Sequence, residues 1–380
     1  MTEIKVAAIE PDSPDAPVAA HYGDPAREQR TLTGSVGLVD RSHRGVVAVP
    51  GPERLSWLHN ITTQHLLDLP AGQGTETLVL SPHGHLEQHA LVIEDGSTCW
   101  LDTEPGAAPG LLDFLAKMRF LTRVEPRDAT AEIAVLSLVG PELAGPLAAL
   151  GVAPLAAPDL LPVPGPKFAT GAVPPRPTVR YAVAPVPAYQ GWARRGRLGV
   201  DLLVPRARRP ELVGALAAAG VPRCGLWAYE ALRVAARVPR LGFDTDHRTL
   251  PMEVDLVAPA VHLEKGCYRG QETVARVHHL GRPPRRLVLL HLDGVTTDQL
   301  PPPGTPVTAG GGNAGPGRLT ADSAGGRTVG FLGTAARHAE LGPIALAVIR
   351  RNVGDDATLQ VGQSTAAIDP DPDPDPVGGR

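Results

Sequence analysis

The chain has 380 residues and a formal net charge of -4, long enough for roughly two or three domains with a sizeable core. That balance excludes the strongly basic footprint of a dedicated nucleic-acid binder. Three widely separated cysteines, Cys99, Cys224 and Cys267, exclude a disulfide framework and a self-contained four-cysteine metal site, and point to a reducing, cytoplasmic setting.

Residues 1–24 read as a flexible N-terminal arm. Glu3, Glu10, Asp12 and Asp15 stand there against Lys5, without the basic start and apolar core of a signal peptide. Gly45 to Val49 reads as a strand, stopped by Pro50-Gly51-Pro52. Leu55, Leu58 and Ile61 then recur at helical spacing. Thr77 to Leu80 and His89 to Ile93 read as strands turning at Pro82 to Gly84, and Thr98 to Asp102 as another. Leu111, Leu112, Leu115 and Met118 form a helical stripe, Glu132 to Leu138 a buried strand, and Pro141 to Leu150 a short helix. Ala144 to Pro158 is too short and too broken by proline to span a bilayer, so no membrane partner is expected.

Ala153 to Pro175 reads as a long surface connection. Strands follow at Val179 to Val186 and Leu198 to Val204, then helices at Glu211 to Ala219 and Leu226 to Ala236. Short β runs at Arg286 to Leu292, Thr305 to Thr308, Thr328 to Leu332 and Ile344 to Ile349, separated by glycine-rich turns, suggest a small all-β unit. Gly310 to Gly315 formally fits G-x-G-x-x-G, but no helix follows, so it reads as a turn. The Asp/Pro alternation of Asp369 to Asp375 forms no core. The expected class is α+β, divided as an arm (1–24), an α/β region (25–282), a small all-β unit (283–362) and a disordered tail (363–380).

The densest chemistry lies in Lys265-Gly266-Cys267-Tyr268-Arg269-Gly270-Gln271-Glu272, continuing to Arg276. This run resembles the K-G-C-[YF]-x-G-Q-E signature of the YgfZ family, folate-binding relatives of the glycine-cleavage T-protein that support iron–sulfur enzymes. Pro239-Arg240-Leu241-Gly242-Phe243-Asp244 and Leu250-Pro251-Met252-Glu253 are similar to the segments that precede that signature. The resemblance is sharp between Gly225 and Leu292 and weak elsewhere. It implies two interleaved α/β lobes and a C-terminal barrel around a central channel, with tetrahydrofolate or a derivative bound there. It also implies partners among iron–sulfur client or assembly proteins, with a link to tRNA modification.

Within the run, Lys265, Gly266, Tyr268, Gly270, Gln271, Glu272 and Arg276, together with Glu253, are the expected cofactor-binding residues. Tyr268 can stack on a pterin and Gln271 can pair with its edge; equally, Tyr268 can be a core aromatic and Glu272 or Glu253 a partner of Arg276 or Arg240. Cys267, flanked by Lys265, Arg269 and Arg276, is the candidate reactive thiol; a packed thiol is the alternative. Arg233, Arg237, Arg240, Arg248, Arg282, Arg285 and Arg286 suit a basic channel mouth for a folate's glutamate tail.

His83, His85, Glu87 and His89 invite a metal reading, but Pro82 and Gly84 suggest a turn that would break their shared face, so no metal is assigned. The same segment resembles a T-protein hairpin whose carboxylates serve aminomethyl transfer. Here Gln88 and His89 occupy those positions, and Ala235 replaces a further glutamate. The expected function is therefore a tetrahydrofolate-binding accessory protein for iron–sulfur enzymes. The alternative is a tetrahydrofolate-dependent aminomethyltransferase. A third reading, direct RNA binding, is disfavoured by the net charge.

Overall fold

A computed structural model describes residues 7–158, 179–280, 282–293, 299–309 and 326–370. In chain order the elements are β1 (Ala7–Ala8), β2 (Ala19–His21), α1 (Pro25–Gly34), β3 (Gly37–Asp40), β4 (Gly45–Pro50), α2 (Arg54–Ile61), β5 (Gln73–Leu80), β6 (Leu86–Glu94), β7 (Thr98–Thr103), α3 (Ala108–Lys117), β8 (Arg127–Asp128), β9 (Ile133–Val139) and α4 (Ala144–Ala149). Then come β10 (Tyr181–Val186), β11 (Gly191–Arg195), β12 (Gly199–Pro205), α5 (Arg209–Ala218), β13 (Arg223–Cys224), α6 (Leu226–Ala235), α7 (Val257–Ala260) and α8 (Gln271–Leu280). The last strands are β14 (Arg285–Asp293), β15 (Pro306–Ala309), β16 (Arg327–His338), β17 (Gly342–Arg350), β18 (Leu359–Val361) and β19 (Ser364–Ile368).

Eleven strands form one sheet in the order β13-β3-β9-β12-β11-β10-β5-β6-β7-β4-β8. The chain lays β3 in one half, crosses to build β4 to β8 in the other, and returns for β9 to β13, so the two lobes interleave. They join where Tyr181 pairs with Gly74 and Ala182 with Gln73. Every residue of β9 is buried, as its continuous apolar run requires between two neighbours. The C-terminal strands close a barrel in the order β14-β17-β16-β15-β18-β19, filled by Leu290, Val307, Leu332, Ile349 and Leu359. Asp244 holds barrel to lobes: its carboxylate accepts the Thr334 N–H at 2.6 Å and the Arg240 N–H at 2.8 Å.

Three boundaries differ from the sequence reading. Residues 7–24, expected as a loose arm, pack against the body: β1 pairs with β2, and Asp15 is buried against Arg240. The barrel runs past 362 to Ile368 because β19 closes it against β14. The final residues of the signature run are helical, since α8 begins at Gln271. The Gly310 to Gly315 turn, residues 159–175 of the surface connection and the tail beyond 370 lie outside the described residues.

Candidate functional site

Between the lobes lies a recess, partly open to solvent. Five arginines (Arg41, Arg44, Arg197, Arg233, Arg240) and three carboxylates (Glu76, Glu104, Asp201) line it, with His89 and Tyr229. The strands bring these charges together from distant parts of the chain. Arg44, on the turn into β4, donates to Asp102 at 3.0 Å and to Glu104 at 2.9 Å. Arg240 donates to the other Glu104 oxygen at 2.8 Å and makes a two-pronged contact with Asp15 at 2.9 and 2.8 Å. Asp201 accepts from Ser137 at 2.6 Å, Arg194 at 2.8 Å and Arg41 at 3.3 Å.

Burial alone pushes these carboxyls up, but the guanidiniums outweigh it. Glu104 is held well below the usual range by Arg240 and Arg44, and Asp201 falls to about 2 beside Arg41 and Arg194. Such pairs position more than they stabilise. Removing one partner from a buried pair costs about 3–5 kcal/mol, because the other is left uncompensated.

Glu76, on β5, is the hub of the second-lobe wall. One oxygen accepts the Tyr181 hydroxyl in a short bond, and the other lies 2.8 Å from His89 Nε2. Arg197 approaches the same carboxylate at 3.3 Å through Nη2. Desolvation works against the Glu76 anion, but Arg197 and His89 prevail and hold it low. His89 is thus built into an imidazole–carboxylate pair facing the recess. The wall offers polar partners in Arg197 and His89 and apolar surface in Leu91, Val139 and Leu256. That combination suits a polar aromatic heterocycle.

None of the signature residues lines this recess. Lys265 is buried, and its ammonium donates to the Thr62 carbonyl at 2.5 Å, to the Gln64 carbonyl at 3.3 Å and, in a short bond, to the His59 carbonyl. It caps the exit of α2, and burial pulls its ammonium down to about 8. Tyr268 packs in the core with Leu78, Leu80 and Val254, its hydroxyl buried without a partner. Gln271 donates to the Lys265 carbonyl at 3.2 Å, tying the run to itself. Glu272 and Arg276 pair at 2.9 Å on the exposed side of α8. Gly266 and Cys267 are exposed. Glu253 is buried, accepts the Leu250 N–H at 2.9 Å and is bridged to Arg285 at 2.8 Å.

The cations beside Cys267 in sequence are all engaged elsewhere: Lys265 on carbonyls, Arg269 on Glu87 at 2.9 Å, Arg276 on Glu272. The expected basic mouth is likewise largely neutralised. Arg233 binds Glu230 and Asp244, Arg285 binds Asp246 and Glu253, and Arg286 binds Asp355.

Sequence reasoning missed Glu76, Arg197, Glu104 and Asp201. The available signal was a charge set inside an apolar strand, as in Glu76 within Gly74 to Leu80, since such residues are rarely buried without a partner.

Residues 19–159 match the family model of the GCVT N-terminal domain. The glycine cleavage system aminomethyltransferase T of Bartonella henselae superposes with a TM-score of 0.72 at 19% identity, over 96% of this chain and 92% of that one. The fold is that of the T-protein. Among relatives, an aminomethyltransferase of Thermosynechococcus vestitus is 28% identical over 62% of this chain and 60% of its own length. One of Symbiobacterium thermophilum is 28% identical over 76% of each. A chloroplastic protein of Arabidopsis thaliana is 26% identical over 78% of this chain and 64% of its own length. The chain thus spans less than two thirds of the length of the Arabidopsis and Thermosynechococcus proteins. Among the described residues no helix is long and apolar enough to cross a membrane.

Proposed function

We propose that this chain binds tetrahydrofolate or a derivative in the recess between its lobes and acts through the one-carbon unit that the folate carries. The observation that carries the reading is the recess of a T-protein fold, walled by Arg197, His89 and apolar side chains. Aminomethyl transfer is the use of folate that the relatives support, since 28% identical proteins bear that name.

A specific observation favours a second use, that of a folate-binding accessory factor for iron–sulfur enzymes. Each carboxylate lining the recess is already paired with arginine: Glu76 with Arg197, Glu104 with Arg44 and Arg240, Asp201 with Arg41 and Arg194. An aminomethyl cation would find no spare anion there. The resemblance of Lys265 to Glu272 to the YgfZ signature supports the same reading, with Cys267 the exposed thiol on offer to a client.

Incubating the protein with an aminomethylated lipoyl carrier and tetrahydrofolate separates the two. Release of methylenetetrahydrofolate establishes transfer. Binding of tetrahydrofolate without turnover, joined to loss of iron–sulfur enzyme activity in cells lacking the gene, establishes the accessory role.

A further inference from the structure

The charged side chains of the recess are occupied with one another. Glu76, Glu104 and Asp201 are each already shared among at least two donors. His89 differs. Its Nε2 lies 2.8 Å from Glu76 Oε2. Its Nδ1 meets no partner among the described residues and, unlike Nδ1 of His43 and His262, is not buried. The ring lines the recess, with 13% of the side chain exposed.

Glu76 fixes the tautomer of that ring. Desolvation opposes the Glu76 anion, but Arg197 holds it, and a carboxylate anion only accepts hydrogen bonds. Nε2 therefore carries the proton that the pair shares. Arg197 already supplies the balancing charge, 3.3 Å from Glu76, so the imidazole need carry none. In the neutral ring Nδ1 is a lone-pair acceptor.

From this arrangement we infer that His89 Nδ1 accepts one isolated N–H of the ligand, and that the recess thereby selects tetrahydrofolate with N5–H free. The inference rests on the folate reading above and narrows it: the folate enters with no unit on N5. The N–H groups on the pyrimidine side of a pterin stand close together and call for a row of acceptors. N5–H stands apart from them, and a single imidazole nitrogen matches it. A folate without N5–H sets a lone pair or a carbon against Nδ1 and leaves that acceptor unpaired. His89 is a specificity residue in this account, with Glu76 positioning it.

The test is calorimetric titration of the full chain with tetrahydrofolate and with 7,8-dihydrofolate. Both keep the pyrimidine edge and N8–H; only tetrahydrofolate carries N5–H. Wild type is expected to bind tetrahydrofolate at least about ten-fold more tightly, the scale of one well-made polar contact, and to bind 5-methyltetrahydrofolate as weakly as the dihydro form. His89→Phe is expected to reduce the ratio of tetrahydro to dihydro affinity to about three-fold or less, through loss of tetrahydrofolate affinity alone. His89→Leu, smaller and equally without an acceptor, provides the same comparison if the phenylalanine variant does not fold. Equal affinities in wild type, or a ratio that survives both substitutions, overturn the inference alone. Failure of wild type to bind any reduced folate overturns the underlying reading and the inference with it.

Discussion

Gly84 and Gly270 meet backbone to backbone. A Cβ on Gly270 would stand 2.9 Å from Gly84 Cα and 2.6 Å from the Ser81 carbonyl oxygen, and both glycines hold positive φ, +81° and +83°. The β5–β6 hairpin turn therefore docks onto the start of α8, and the second glycine of the signature run is required by that contact.

Gly270→Val is thus expected to lower stability by about 1–3 kcal/mol, from the strained backbone angle and the displaced hairpin together. Urea unfolding measures this. The sequence reading counts Gly270 among the cofactor-binding residues; a folded variant with unchanged stability and weakened folate binding would restore that view.

Asp15 anchors residues 7–24 to the recess through Arg240 and lies 2.9 Å from His43. Asp15→Ala is expected to cost about 3–5 kcal/mol, because it leaves Arg240 short of a partner in a buried site. It is also expected to raise protease cleavage within the first 24 residues, which limited proteolysis detects.

Acid is expected to destabilise the protein in two stages. Burial, with Lys265 and two neighbouring histidines, lowers His59 from 6.5 to about 4. The unfolded chain therefore binds that proton first, and stability falls as pH drops from about 6.5 to 4. The depressed carboxyls follow: Asp201 contributes stability above its ordinary 3.8 that is lost as pH falls through about 2, with Glu104 and Asp15 changing in the same direction. His59→Asn is expected to flatten the upper stage and leave the lower. Denaturant midpoints against pH check both.

Cys267 is exposed, whereas Cys99 and Cys224 are buried. Desolvation and Glu94 raise the Cys99 thiol, and burial pushes Cys224 up to about 12. A thiol reagent is expected to modify Cys267 alone in the native protein, and Cys267→Ser to abolish the reaction. Because Cys267 does not line the recess, bound folate is expected to leave its rate unchanged, contrary to the protection that a signature-built pocket implies.

β9 and the end of β5, Thr77 to Leu80, were legible in the sequence because burial on both faces leaves a nearly unbroken apolar pattern. α8 was not. Thr273, Val274 and Val277 are poor helix formers, and its helix depends on tertiary burial of Val274 in the core around Tyr268. β11 was missed because Arg194 and Arg195 look like surface charge; Arg194 is fully buried between Asp102 and Asp201. The recess failed to declare itself for the same reason. Its charges are visible in the sequence, but their partners lie across strand crossings that local pattern does not encode.

The central claim, that the recess between the lobes is a folate site, is tested most directly by calorimetric titration of the full chain with tetrahydrofolate, in wild type and in His89→Phe. The account predicts one saturable site per chain, weakened at least about ten-fold when His89 is replaced by a ring that cannot hydrogen-bond. No binding, or binding indifferent to His89, would contradict it.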